Sequence, residues 1–227
     1  TTCGAIGKIE IRAGGLDVGV AMATVKYYVQ CPSLLQAKLT GRKAPWVSAK
    51  DVILKILQEL SVKGGVNKIV EYTGEGLSDL SLTDRATICN MGAELGATTS
   101  VFPTDENTLA YLKQQGREDE YVEMKADDDA TYDETIEIDM STLVPMVAQP
   151  HSPDNVVDVK DLEGMKINQV VIGSCTNSSL PDMMRAAKIL KGRKVAEDVS
   201  LVIAPGSSSI LSMLAQNGAL ADMIHAG

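Results

Sequence analysis

Aromatic residues are scarce in this sequence, at 4% with one Trp and one Phe, so any core must be built from Val, Ile, Leu, Met and Ala. Nowhere does an apolar run reach the length of a membrane span, and no signal-peptide pattern opens the chain, so a soluble protein is expected. Cationic clusters are missing too. "GRK" at 41–43 and again at 192–194 is short and isolated, and the net charge is −9. That balance argues against a nucleic-acid groove as the main surface, because phosphate binding relies on clustered Lys and Arg. The four cysteines, Cys3, Cys31, Cys89 and Cys175, are irregularly spaced and contain no C-x-x-C pair. They form no compact disulfide framework, and with two histidines they define no zinc site. Reduced thiols in a cytoplasmic setting fit this pattern best. Phosphate loops of the G-x-G-x-x-G or G-x-x-x-x-G-K-[ST] type are absent, as is a G-x-S-x-G elbow, so nucleotide and serine-hydrolase readings lack their usual motifs.

What is present reads as alternating strands and helices. Leu34 to Leu39 is strand-like, and Ser48 with Asp51 opens a helix whose apolar positions are Ile53, Ile56, Leu57 and Leu60. "VNKIVEY" is the next strand, followed by a helix expected over Thr83 to Leu95. "TTSVFP", "TDENTLAYLKQQG" and "TIEIDM" continue as strand, helix and strand. Eleven of the thirty acidic residues fall between Glu118 and Asp139, which reads as a solvated face. "PMVAQPHSPDNV" holds three prolines from Pro145 to Pro153 and is the best candidate linker. Beyond it lie two strand–loop–helix units, "VVIGSCTNSS" and "LVIAPGSSS". The order argues for α/β layers.

Three places could carry chemistry. Cys175 sits where the apolar run Val170–Ile172 has stopped at Gly173 and a helix is about to start, with Ser179, Pro181 and Asp182 as its opening signals. Backbone N–H groups and the helix dipole favour negative charge there, so a thiolate could bind a metal or attack a substrate. The competing reading is a small buried filler, the common fate of an unpaired cysteine. Thr87, Asn90 and Glu94 are spaced i, i+3 and i+7 and would share one side of a helix among small or apolar neighbours. Either that side is packed and the carboxylate needs a partner, or it is the solvent edge of an amphipathic helix. "APGSSS" at 204–209 could present N–H groups and hydroxyls to an anion, or simply cap a helix.

"VIGSCTNSS" and "ATICNMGAELGATTSVFP" (86–103) together resemble the aconitase family of iron–sulfur hydro-lyases. "VKGGVNKIVEYTGEG" and "PHSPDNV" fit the same family in the same order, and the likeness is co-linear over the whole chain. The resemblance implies three-layer α/β/α domains: 1–35 as the end of a first domain, 36–148 as a second, and 149–227 as the start of a third. It implies that Cys175 is the first of three cysteines holding a [4Fe–4S] cluster. Asn90 and Glu94 resemble residues beside that cluster, with Glu94 helping hold the water or hydroxyl on the substrate-binding iron. The family's other two cluster cysteines form a C-x-x-C that would follow "ADMIHAG", and its Asp-Ser-His segment would precede "TTCGAIG". An internal fragment, inactive by itself and without its cluster, is therefore expected.

"GATTSVFP" is worded closer to aconitate hydratases, which interconvert citrate and isocitrate through cis-aconitate, so a small tricarboxylate is the expected substrate. The alternatives are a 3-isopropylmalate or homoaconitate hydro-lyase large subunit, or a non-catalytic interaction module. The location implied is the cytoplasm, or the mitochondrial matrix in a eukaryote. Cys3, Cys31 and Cys89 match no ligand position and are expected to be packed thiols.

Overall fold

The structure is a computed structural model that describes residues 3–11 and 13–227. The chain forms two compact units, Thr1–Asp161 and Leu162–Gly227.

The first unit is built on four parallel strands: β1 (Ser33–Thr40), β2 (Lys68–Thr73), β3 (Thr99–Val101) and β4 (Glu134–Asp139), in the order β3-β2-β1-β4. The period-2 rule fixes its faces. Leu35, Ala37 and Leu39 point one way, beside Val70 and Tyr72 on β2 and Ile138 on β4, and all six are at most 3% exposed. Helix α2 (Ala49–Leu60) lays Val52, Ile53, Ile56 and Leu57 into the same core, each 0% exposed. Full burial of such a side chain contributes about 1.5–3 kcal/mol, so this contact dominates the unit. The start of α2 is as the sequence predicts: the Asp51 carboxylate accepts from the Ser48 N–H at 2.6 Å. Helix α3 (Leu82–Met91) packs beside α2, and α4 (Glu106–Gln114) follows β3. The one Phe is fully used, since Phe102 stacks on Tyr72 with centroids 4.4 Å apart.

The first thirty residues hold one unexpected element, α1 (Gly15–Thr24), none of whose residues is buried. Its two glycines and two valines weaken the helix signal that its alanines, Leu16 and Met22 supply.

The proline-rich stretch is not an open linker. Strands β5 (Met146–Ala148) and β6 (Val156–Asp158) pair antiparallel as a hairpin, with Pro150 and Pro153 in its turn. Three bonds moor it to α2 and the residues just beyond. Met146 N–H donates to Asp51 Oδ1 at 2.7 Å, Gln58 Nε2 to the Val156 carbonyl at 3.0 Å, and Val62 N–H to Asp154 Oδ2 at 3.1 Å. Packing therefore divides the chain after Asp161, not within 145–153 or at residue 149. The prolines misled because turn chemistry and linker chemistry use the same residues.

The second unit pairs β7 (Gln169–Gly173) with β8 (Ser200–Ala204) in parallel, register Gly173 to Ala204. Helices α5 (Leu180–Leu190), α6 (Ser208–Gln216) and α7 (Ala219–Ala226) cover one face. Met183, Ala187, Leu214, Ala219 and Met223 form their core, with Ile172 and Ile203 packed against it. Parallel strands flanked by helices in both units bear out the α/β class.

Candidate functional site

Cys175 lies in the turn between β7 and α5, and it is exposed rather than a buried filler. The turn has an unusual backbone. Gly173 has φ +125°, and a Cβ there would stand 1.9 Å from the Ala204 carbonyl oxygen, so only glycine fits. Ser174 follows at φ 114° and Asn177 at φ 53°, both on the positive side. A serine in this region costs on the order of 1–3 kcal/mol and persists only where its surroundings over-determine it. Those surroundings are visible. The buried Ser178 hydroxyl donates to the Ser174 carbonyl, and the Gly206 N–H donates to the Ser178 carbonyl at 3.1 Å. The loop after β8 thus clamps the loop after β7.

Two hydroxyls flank the sulfur: Ser174 Oγ and Thr176 Oγ1 each lie 3.8 Å from Cys175 Sγ. The helix behind them is capped as the sequence predicts, with Ser179 Oγ accepting from the Asp182 N–H at 3.4 Å. "APGSSS" has a settled role in part, since Ser207 Oγ accepts from the Ile210 N–H at 3.2 Å and caps α6. Asn177 Oδ1 is buried without a hydrogen-bond partner, an orphaned acceptor beside the turn.

In the first unit, Asn90 ends on the last turn of α3, 7% exposed, near Thr87 at 6%. Glu94 is not on that helix. Helix α3 stops at Met91, and residues 92–96 coil through turns before β3, with Glu94 N–H donating to the Met91 carbonyl at 3.1 Å. The i+7 spacing therefore places no shared helix face for Glu94, which is exposed, while Asn90 is buried. Gly96, at φ +80°, turns the chain toward β3, while Gly92 keeps helical angles and is needed because a Cβ there would stand 2.3 Å from Ser100 Oγ. The small cavity beside this turn, lined by Glu10, Cys89, Gly92 and Ser100, measures about 20 Å³, room for one water and no organic acid.

The other cysteines differ from one another. Cys89 is packed as expected, and burial first of all pushes its thiol up to about 12. Cys3 and Cys31 are exposed, against the expectation that they are packed.

Among the described residues, no group of three or more His, Cys, Asp or Glu could hold a metal ion. The Cys175 turn nonetheless fits one corner of an iron–sulfur cluster: an exposed sulfur, two hydroxyls on it, and a capped helix start behind. Sequence reasoning placed Cys175 between a strand and a helix, as the structure has it, but missed the strain at Ser174 and the orphaned Asn177. Neither has a signal in residue type, because both depend on backbone angles.

Comparison with known proteins adds independent findings. The family described as "Aconitase family (aconitate hydratase)" matches residues 1–164 and 159–227. The 3-isopropylmalate dehydratase large subunit 2 of Archaeoglobus fulgidus is 42% identical over 226 residues, 100% of this chain and 54% of the relative. The 3-isopropylmalate dehydratase large subunit of Caldicellulosiruptor saccharolyticus is 43% identical over 227 residues, 100% of this chain and 53% of the relative. The chain thus spans about half the length of these relatives. The holo-form crystal structure of Thermococcus kodakaraensis aconitase X aligns over 86% of this chain and 42% of that one, at 15% identity and a TM-score of 0.43.

Proposed function

Because the chain belongs to the aconitase family, we propose that it is the part of a hydro-lyase that supplies the first cluster cysteine, and that the whole protein acts on 3-isopropylmalate or a close relative. One observation supports this substrate over citrate: the relatives of 42% and 43% identity across the whole chain bear the 3-isopropylmalate dehydratase name. A second reading, citrate and isocitrate interconversion, is favoured only by the wording of "GATTSVFP" at 96–103.

In this reading Cys175 holds one corner of a [4Fe–4S] cluster. When bound, such a cluster supplies Lewis acidity toward a substrate hydroxyl and carboxylate. The chain's own residues bind and orient. The exposed Glu94 carboxylate is placed on a turn where it can accept a hydrogen bond from a hydroxyl or carry a proton. The Asn90 amide, buried at the end of α3, presents donor and acceptor from a rigid element and is suited to orientation. Capping and the clamp through Ser178 hold the Cys175 turn still before any ligand arrives.

The test uses the full-length protein, reconstituted anaerobically with iron and sulfide, and follows the unsaturated acid formed from 3-isopropylmalate and from citrate. Turnover of 3-isopropylmalate at a kcat/KM at least tenfold above that for citrate supports the proposal. The reverse preference replaces it with the second reading, and a cluster-loaded protein that dehydrates neither substrate overturns both.

A further inference from the structure

Ser100 is a polar residue on an apolar face. In β3 it pairs with Val70 of β2, so it looks to the side where Val70 and Tyr72 meet Ile88 and Cys89 of α3. It is 5% exposed, and among the described residues its hydroxyl has no hydrogen-bond partner. Tyr72, fully buried on the same face, is near enough for Ser100 to lower its phenol against the larger upward push of burial. The Tyr72 hydroxyl is nevertheless without a partner too. Native folds rarely leave a buried hydroxyl in that condition, because its lost hydration goes uncompensated.

Two glycines keep the space around Ser100 clear. Gly92 has φ −58° and ψ −21°, angles open to any residue, yet a side chain there would run into Ser100 Oγ. A Cβ on Gly4 would stand 1.8 Å from the Ser100 carbonyl oxygen and 3.1 Å from Cys89 Sγ. What they leave is the cavity of about 20 Å³, walled by Gly4, Glu10, Cys89, Gly92, Ala93 and Ser100, and not by Tyr72. Glu10 is fixed beside it, with its N–H donating to Thr99 Oγ1 at 3.4 Å and its Oε2 accepting from the Cys3 N–H at 2.9 Å. A carboxylate retains further lone pairs after one such bond.

We infer that this cavity is the binding site of one ordered water, which accepts the Ser100 hydroxyl proton and donates to the Glu10 carboxylate. The volume matches one water and nothing larger, and a polar wall with two or more partners is what such a water needs. A bound cation is the poorer fit, because one carboxylate and one hydroxyl fall far short of the six or more oxygens that Ca²⁺ or Mg²⁺ gathers. The water has a positioning role. Gly92 and Ala93 form one wall, so it braces the turn 92–96 that carries Glu94 and follows directly on the end of α3, where Asn90 sits. On the opposite wall the Cys89 thiol donates to the Ser100 carbonyl at 3.6 Å, which ties the helix to β3 independently.

The experiment combines a high-resolution crystal structure of the protein with urea unfolding and amide hydrogen exchange of Ser100→Ala, alone and in a Tyr72→Phe background. The density should show a single peak within hydrogen-bond distance of Ser100 Oγ and a Glu10 carboxylate oxygen. The sign of the stability change is decisive. A hydroxyl bonded to water is missed when removed, so Ser100→Ala should raise the unfolding equilibrium constant about tenfold, whereas deleting an orphaned hydroxyl leaves stability unchanged or improves it. Exchange over residues 92–97 should quicken about tenfold in Ser100→Ala while β1 and β2 keep their rates. The loss should be the same in the Tyr72→Phe background, which separates the water from any bond between the two hydroxyls. An empty cavity in the density, a peak with the short multiple contacts of a cation, a Ser100→Ala protein as stable as the wild type, or a loss that vanishes with Tyr72→Phe would each overturn the inference. None of these readings involves a cluster or a substrate, so such a failure leaves the proposed function where it stands.

Discussion

The guanidinium of Arg85 is fully buried and paired with the carboxylate of Asp105, the residue that caps α4. Arg85 also donates to the Leu77 and Pro103 carbonyls and lies 5.7 Å from the centre of the Phe102 ring. One charged side chain therefore ties α3, the strand-to-helix turn after β3 and the aromatic stack into a single block. Asn90 stands five residues further along the same helix, so its placement depends on this block.

The pair makes the first unit sensitive to acid. Burial raises the Asp105 carboxyl, but the Arg85 hydrogen bond, the Thr108 N–H and the Arg85 charge outweigh it and hold the group below its ordinary value of 3.8. A depressed carboxyl stabilises the fold at pH values above its unfolded pKa, and that stability is lost as pH falls through the folded value. Asp105→Asn should therefore remove the part of the acid transition below about pH 4. At neutral pH it should cost about 2 kcal/mol, less than the ~3–5 kcal/mol of a fully buried pair because Asp105 is 35% exposed. Urea titrations of both proteins between pH 2.5 and 7, about the carboxylate range, check this. Parallel acid curves would show that the pair is not the sensor.

Asp51 has two duties that can be separated. One oxygen takes the Ser48 N–H and starts α2, and the other takes the Met146 N–H and docks the hairpin. Asp51→Ala removes both, leaving a capping loss of about 1 kcal/mol and an unpaired backbone donor worth about 1–3 kcal/mol. Trypsin and a broad-specificity protease should cut wild type first at the exposed segment Glu163–Asn168, which includes Lys166, and spare 145–158. In Asp51→Ala the hairpin should become the early site. Early cutting at 147–154 in the wild type would restore the linker reading.

How much of this was legible beforehand differs by element. The capping boxes of α2 and α5 and the strand β1 were readable because a period and a start signal coincide there. Helix α3 was overextended to Leu95, since its small apolar residues continue past Met91 and only the turn at Gly92 ends it. The hairpin was hidden because one of the bonds that dock it comes from Asp51, 95 residues away. The strand–turn–helix setting of Cys175 was legible from its sequence pattern. Ser174 did not, because a serine in a left-handed conformation is written the same way as any other.

The four thiols should sort by burial. Cys89 is 4% exposed, and burial first of all pushes its thiol up from an ordinary 9.0, so it holds far less of the reactive thiolate at neutral pH than an ordinary thiol. Cys3, Cys31 and Cys175 are exposed. Iodoacetamide at neutral pH should modify these three within minutes and Cys89 only after unfolding, read by peptide mass spectrometry. Native labelling of Cys89 at a comparable rate would mean that α3 opens readily and that Asn90 is not rigidly held.

The donor set allows one more expectation, about the 227-residue chain taken alone. A [4Fe–4S] cluster is held by several thiolates converging within a few ångströms. Among the described residues, no three metal-binding side chains converge anywhere, and Cys175 is the one cysteine in a turn that suits the cluster. Cys3 and Cys31 are exposed but belong to the other compact unit, on segments with no comparable turn. The chain should therefore take up less than about one iron per molecule in a defined site after anaerobic reconstitution, because a single fixed ligand cannot set cluster geometry. Its visible absorption should stay featureless, and Cys175→Ser should change neither reading. Four irons and four sulfides per chain, lost in Cys175→Ser, would show that the remaining thiolates come from this chain and that its loops rearrange to bring them together.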